Sequence, residues 1–524
     1  MTIAGEDDQK DSSGPAILLQ GTTCWQLAHA DRVAVIVDAG AYFAAAKAAI
    51  LQARHTVFLI GWDFDLRISL ERKDPMPGVP DELGDFLTYV VENRPDLRIF
   101  VLRWDLSFLK FPFRATLPLK LLDWLSGKRL DFRLDHEHPV GACHHQKIVV
   151  VDDTLAFCGG IDMTDYRWDT PEHADDDPYR VDPRGEPYPP WHDITTCIMG
   201  EAAKTLGDLA RERWRRATGE IVPSAPPCDP YWPEHLLPDL VDVEVAIART
   251  EPAYGEAQPE VREVEALYLA AIRAARKTIY IETQYFASHK ITAALGERLQ
   301  EEHGPEVVVV NPKTGAGWLE EEVMGSARAV LLKQLGQCDR YGRFRIYTPV
   351  TEKGEDIYVH AKVVVVDDRL LRVGSSNLNN RSMGLDTECD LAIEALSSQS
   401  DGKMVRQVIT DVRNRLLAEH LGIPKEQFAE TLQKEKGLLV GAIERLRREH
   451  GRSLVPFHPP RLSDAEMAVA ESRILDPDRP EEMSAVMQRG LHQLGLGKAL
   501  GLGFAAAVGM AAAVGLVRNR AGQS

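Results

Sequence analysis

The sequence predicts an α/β protein made of two copies of one unit of roughly 200 residues, about the upper size of a single domain. Residues 48–65, AAILQARHTVFLIGWDFD, are matched by residues 270–287, AAIRAARKTIYIETQYFA. Each passes from a short helical stretch into a β-branched and aromatic strand. Downstream, HHQKIVVVDD (144–153) recurs as VHAKVVVVDD (359–368), in the same order and at nearly the same offset. Between the copies lies VPSAPPCDPYWPEHLLP (222–238), with six prolines in seventeen residues, which neither a helix nor a central strand accommodates.

The elements follow in order. Residues 1–15 are acidic and polar and are expected to be disordered; they lack the basic-then-apolar pattern of a signal peptide, so export by that route is not expected. The first copy spans 16–221, the proline-rich linker 222–240 and the second copy 241–420. Within the first copy DTPEHADDDPYRVDPRGEPYPP (169–190) has no counterpart in the second and is long enough for a functional loop. Beyond about residue 400 apolar residues recur every three or four positions among charges, which predicts helices over the second copy and a helical extension, 421–498. Ala499–Val517 is an uncharged run of nineteen residues, seven of them Ala and four Gly, flanked by Lys498 and by Arg518 and Arg520. Its helical length of about 28 Å is close to a bilayer's hydrocarbon thickness, so it is expected to be a single transmembrane helix holding the body at the cytoplasmic face of a membrane. A docked helix or a flexible tail is the competing reading, since alanine contributes little to insertion.

Composition narrows the function. The chain has 524 residues, 44% hydrophobic and 27% charged, which excludes wholesale disorder and a multi-span membrane protein. Lys+Arg total 61 against 79 Asp+Glu, a net −18, which argues against coating nucleic acid. The seven cysteines form no CxxC pair and are expected to be reduced thiols.

One cluster in each copy carries chemistry. His145, Lys147 and Asp152 fit HxKxxxxD and are followed by Gly159-Gly160-Ile161-Asp162. His360, Lys362 and Asp367 repeat the pattern and are followed at identical spacing by Gly374-Ser375-Ser376-Asn377. A single HxKxxxxD is weak evidence, and an isolated histidine beside a strand is usually structural. Two sets with glycine-rich followers, in matching repeats, point to chemistry. IVVVD and VVVVD are apolar runs, hence buried strands, and alternation places each His and Lys on one side. The lysine neutralises phosphate oxygens, the histidine attacks phosphorus or donates a proton, and the glycine turn admits an anion.

The two motifs resemble the HKD signatures of the phospholipase D superfamily. GGIDMTDYRWDTPEH (159–173), PPWHDI (189–194), IYIETQYF (279–286) and GSSNLNNRSMGLDTE (374–388) are most similar to the phosphatidylcholine-hydrolysing enzymes of eukaryotes and their bacterial relatives, over about residues 15–420. The resemblance implies two packed α/β/α domains with mixed sheets, related by a pseudo-two-fold axis, with the site between them. It implies His145 as nucleophile, forming a phosphohistidine, and His360 as general acid and later base. Lys147 and Lys362 would hold the non-bridging oxygens, with Asn377 and Ser375, while Gly160 opens the first turn and Asp162 is a doubtful phosphate contact. Asp193 and Glu388 would orient the histidines, Asp152 and Asp367 complete the motifs and would fix the loop after each strand, and Trp168, in the Arg167-Trp168-Asp169 turn, would line the substrate mouth. No metal or cofactor is expected. The implied reaction is hydrolysis of a glycerophospholipid head group to phosphatidate, with water or a primary alcohol as acceptor, by a catalytic unit that is a monomeric internal pseudo-dimer. A cardiolipin synthase-type phosphatidyltransferase shares both motifs; a nuclease or a catalytically inactive scaffold fits less well.

Overall fold

The computed structural model describes residues 14–105, 129–256, 258–315, 324–396, 402–460, 462–463, 467 and 476–482. The expected transmembrane segment 499–517 lies outside these residues. No helix among the described residues is long and apolar enough to cross a membrane.

At the centre two twelve-residue strands, Gln26–Val37 and Leu240–Glu251, pair antiparallel, with Gln26 opposite Ile247 and Arg32 opposite Val241. The same succession of strands runs outward on either side. On one side come Ile194–Met199, Leu155–Gly159, Ile148–Val151, Thr56–Gly61, Arg98–Trp104 and Leu130–Asp135; on the other come Glu388–Glu394, Leu370–Gly374, Lys362–Val366, Thr278–Thr283, Glu306–Val310 and Phe344–Val350. The inner pairings are antiparallel and the two outermost parallel in both halves. The order therefore reads the same from either end of this path, and a pseudo-two-fold axis passes between the central strands.

The two mixed sheets are thus continuous, a 16-stranded sheet among the described residues. Each half would otherwise end on a long strand with unpaired amides and carbonyls; pairing these two edges satisfies both. Helices Glu201–Thr218 and Gly402–Leu421 cover one face, placing Trp214 and Leu416 in a core shared by both halves. Helices Ala39–Leu51 and Leu83–Asn93 cover the other face of the first half, and Glu263–Ala274 and His289–Gln300 that of the second. With helices on both faces the strands need no alternation, which is why IVVV (148–151) and KVVVV (362–366) are buried throughout.

The C-terminal extension begins with helices Lys425–Lys434 and Leu439–Leu446. It then adds a strand, Ser453–Pro456, against Phe344–Val350, covering the second half's outer edge. Further on, Asp476 accepts the amides of Asn380 (3.0 Å) and Arg381 (2.9 Å) at the start of the short helix Asn380–Gly384.

Candidate active site

Each motif begins just before its strand, in a segment bonded to the opposite half. The His145 amide donates to the Thr387 carbonyl at 3.0 Å, and the His360 amide donates to the His192 carbonyl at 2.8 Å. The residue after each acceptor is a carboxylate, so the backbone pairing delivers Glu388 to His145 and Asp193 to His360. His145 Nδ1 lies 2.9 Å from Glu388 Oε2, and His360 Nδ1 lies 2.6 Å from Asp193 Oδ2. Both acids expected to orient a histidine do so, each across the interface. A carboxylate at Nδ1 fixes the tautomer and leaves Nε2 for chemistry.

Both carboxylates are held in turn. Ser375 Oγ and Ser382 Oγ donate to Glu388 at 2.5 and 2.7 Å, and Asn379 caps the helix that presents Ser382. Asp193 Oδ1 accepts the Ile194 amide at 2.8 Å. Lys147 Nζ donates to the His145 carbonyl at 3.0 Å and sits 3.2 Å from Asp162. Lys362 Nζ donates to the His360 carbonyl and reaches the Gln284 amide oxygen at 3.4 Å. The buried Asn377 side-chain oxygen has no hydrogen-bond partner. Above His360, Trp191 packs 5.2 Å from the imidazole between Tyr358 (4.5 Å) and the Arg167 guanidinium (4.2 Å).

Two family models cover this architecture, one described as phospholipase D over residues 131–294 and one as the PLD-like domain of cardiolipin synthase over 268–412. The chain belongs to the phospholipase D superfamily. It is 24% identical to phospholipase D A of Dictyostelium discoideum, over 75% of this chain and 36% of that protein. It is 25% identical to phospholipase D alpha 2 of Oryza sativa subsp. japonica, over 72% of this chain and 63% of the relative. It is also 25% identical to phospholipase D1 of Schizosaccharomyces pombe, over 56% and 28%. The chain therefore spans between about a quarter and two thirds of these relatives. Among solved structures, phosphatidylserine synthase of Haemophilus influenzae matches with a TM-score of 0.50 at 14% identity, over 80% of this chain and 97% of that one, a likeness of fold alone.

Within this phospholipase D-type centre, three expected residues take other places, and the two motif aspartates hold the turns beside their strands. Asp152 accepts the amides of Arg54, His55 and Thr56 at 2.7–2.8 Å, and Asp367 those of Arg276, Lys277 and Thr278 at 2.8–2.9 Å. Both sit at the far end of the motif strands, where they fix the turn and touch nothing catalytic. The Ser375 hydroxyl is engaged by Glu388 and by the Cys389 amide (3.0 Å), so it supports the carboxylate rather than a phosphate. The Gly160 amide donates to Ile194 O; a β-carbon there would lie 2.3 Å from Asp193 Oδ1, so this glycine makes room for Asp193. Trp168 is buried in the first half's core, its carbonyl accepting from Tyr188 Oη; its neighbour Arg167 and the unforeseen Trp191 are the loop residues at the site. Asp162 pairs with Lys147, which resolves the doubt about a carboxylate here: it balances a buried cation.

Burial, then the charges of Lys147 and Lys362, holds His145 well below its ordinary pKa; burial, Lys362 and Arg167 do the same to His360. Burial also pushes Lys362 down to about 7, with Lys147 adding to it and Asp193 opposing. Asp193 and Glu388 are raised by burial against the hydrogen bonds they accept and the nearby lysine charges. The site is poised for a negative ligand, whose charge would hold Lys362 protonated.

A second constellation lies behind Asp193. Asp38 Oδ2, His173 Nε2, His192 Nδ1 and Glu419 Oε1 are buried atoms with no hydrogen-bond partner. His192 Nδ1 lies 3.1 Å from Glu419 Oε1 and 3.3 Å from Asp38 Oδ1, while His173 Nε2 lies 3.3 Å from Glu419 Oε1 and 3.6 Å from Asp38 Oδ2. A tetrahedral ion with roughly 2.0 Å bonds has edges of about 3.3 Å. The outer nitrogens are backed by carboxylates, His173 by Asp169 and His192 by Glu282, each at 2.9 Å, as metal-bound imidazoles usually are. This donor set could hold a divalent cation, where the sequence reading expected no metal; without one, burial is outweighed by the carboxylates, which raise the pKa of both histidines and pair with them as imidazolium. The available signals were the histidines of TPEH and PWHD, one of them inside the unmatched loop.

Proposed function

We propose that the chain is a phospholipase D that cleaves the head-group phosphodiester of glycerophospholipids through a phosphohistidine. The observation that carries this reading is the pair of His–carboxylate dyads, each formed across the pseudo-two-fold axis, with a buried lysine beside each. His145 Nε2 attacks phosphorus while His360 Nε2–H protonates the departing alcohol oxygen, so the P–N bond forms as the P–O bond breaks. His360, now neutral, takes a proton from water or a primary alcohol; the new oxygen bonds to phosphorus, the P–N bond breaks and His145 is restored. Lys147, Lys362 and Asn377 hold the non-bridging oxygens. Family resemblance supports His145 as the attacking residue. The phosphodiester's negative charge offsets the two lysines and raises His360 toward the protonated form an acid needs. No step passes through the Asp38–His173–His192–Glu419 cluster. An ion there would fix His192, whose carbonyl receives the His360 amide, and Asp38, which accepts the Asp193 amide at 3.1 Å.

Purified protein given mixed phospholipids and ethanol tests this reading by mass spectrometry. Phosphatidylethanol with free choline supports it. A second reading, a phosphatidyltransferase, is favoured by the cardiolipin synthase description of the matching model; cardiolipin formed from phosphatidylglycerol without choline release would replace the first reading with that one. We further propose that residues 499–517 anchor the protein in a membrane, on their apolarity. Truncation before Gln493 should move it to the carbonate-washed supernatant, and finding the full-length protein there as well removes the anchor.

A further inference from the structure

The strand Lys362–Val366 carries Lys362 into the active site at one end and leads to Asp367 at the other. At that far end a cavity of about 380 Å³ opens, lined by Arg276, Lys277, Arg369, Arg406 and Arg413 with Asp367 and Asp368. Its volume falls within the range of roughly 300–1,000 Å³ typical of ligand pockets, and five cations are unusual company in a chain of net charge −18.

Most of the local negative charge is already engaged. Asp367 caps three backbone amides, Asp368 pairs with Arg406 at 3.1 Å, and Arg369 pairs with Glu394 at 2.5 Å. Among the described residues the side chains of Arg276, Lys277 and Arg413 form no ion pair, and Asp367 reaches Arg276 and Lys277 only at their backbone amides. Arg413 is buried and donates to neutral oxygens, those of Asn414 and the Asp367 carbonyl. Burial pushes this guanidinium down to about 10, a cost that a neighbouring anion removes.

The pseudo-symmetric place in the first half provides an internal comparison. There Arg211, on helix Glu201–Thr218, grips Asp153 at 2.6 Å, and the linker amide of Ala225 caps the other carboxylate oxygen at 2.9 Å. Gly207 lets that helix close down, since a β-carbon would lie 2.1 Å from Asp153 Oδ1. The first half thus fills the space and balances its charge. In the second half Lys277 stands where the first has His55, and Arg369 where it has Thr154, while both aspartates are kept. The second half carries more cations at the place where the first half is closed.

We propose that this cavity binds a phosphomonoester or pyrophosphate group, separate from the substrate of the active site. Guanidinium forks suit such oxygens, and the lining is mainly polar. The group could arrive on a soluble molecule or on a lipid head group such as phosphatidate; the chemistry recognised is the same.

The test uses the full chain with inorganic pyrophosphate, read by calorimetry and by hydrogen exchange of the backbone, and flotation with phosphatidylcholine vesicles with and without phosphatidate. Pyrophosphate should slow exchange at 276–278 and 406–413. Arg276→Gln/Lys277→Gln, both exposed positions, should abolish that protection and weaken this binding at least tenfold, while Arg54→Gln in the first half should not. Protection by pyrophosphate indicates a soluble ligand; flotation that needs phosphatidate and is lost in the double variant indicates the lipid source. If neither probe binds, or if protection appears only around His145 and His360, the proposal is wrong.

Discussion

Replacing Gly160 by alanine separates its role as a spacer from that of a phosphate contact. The new methyl carbon would lie 2.3 Å from Asp193 Oδ1, about 1 Å inside an ordinary carbon–oxygen contact. Gly160 φ lies outside the left-handed region, so alanine meets no backbone strain and the displacement falls on Asp193. Moved by about 1 Å, the 2.6 Å bond to His360 reaches roughly 3.6 Å and ceases to be a hydrogen bond. Misplacement of that size costs about 10²-fold, and losing the orienting carboxylate outright up to about 10⁴-fold. Because His360 serves as the acid, the loss should depend on the leaving group. Turnover of a choline phosphodiester should fall by about 10²–10⁴, while phosphorylation of His145 by a p-nitrophenyl phosphodiester, which needs little protonation, should fall by less than about tenfold. Rapid-quench trapping of the phosphoenzyme measures both, with Asp193→Asn as the reference lacking the steric clash. Overpacking should also lower stability by about 1–3 kcal/mol, so melting is followed in parallel. Equal losses with the two substrates, or none, would refute the argument.

Three further outcomes are expected. His145→Ala should abolish both turnover and the phosphoenzyme, whereas His360→Ala should still trap label from the good-leaving-group substrate; the opposite pattern reverses their roles. Since His360 must be protonated and is held well below its ordinary pKa, kcat/KM should already fall on the acid side of 7; Lys362, near 7 and needed as a cation, should steepen that fall as pH rises through about 7, and Lys362→Arg should remove the steepening; an unchanged profile in that variant would assign it elsewhere. A divalent ion at a hundred times its dissociation constant should stabilise the protein by about 2.7 kcal/mol, chelation should reverse this, and Asp38→Asn/Glu419→Gln should be insensitive to both; identical melting of wild type and variant across zinc, calcium and manganese would exclude the site.

The α/β class, the duplication and the four His and Lys positions were legible because each rests on a local pattern that occurs twice. The roles of Ser375, Gly160 and Trp168 were not, because they depend on which side chain the strand pairing and loop path bring opposite them. Ser375 meets Glu388, a backbone neighbour across adjacent strands, and Gly160 meets the side chain of Asp193. The continuity of the sheet was equally hidden, since no motif marks Gln26–Val37 and Leu240–Glu251 as partners. The His–carboxylate cluster draws on four separated segments, one of them the helix Gly402–Leu421, which reads in sequence as ordinary amphipathic helix.

The pairing of the two halves through one covalent chain has a consequence for how a substrate can enter. A homodimer of one such unit would present identical side chains on both sides of its axis, and a phosphodiester could settle either way round. Here the axis relates unlike partners: Asp162 beside Lys147 is matched by Asn377, Gly160 by Ser375, and the orienting acids are Asp193 on one histidine and Glu388 on the other. Arg167 and Trp191 stand beside His360, at the two ends of the loop 169–190 that the second half lacks. The binding cleft therefore has a head and a tail, so that under the proposed function the diacylglycerol and the alcohol leave from distinguishable ends, and mutations at symmetry-related positions need not have equal effects.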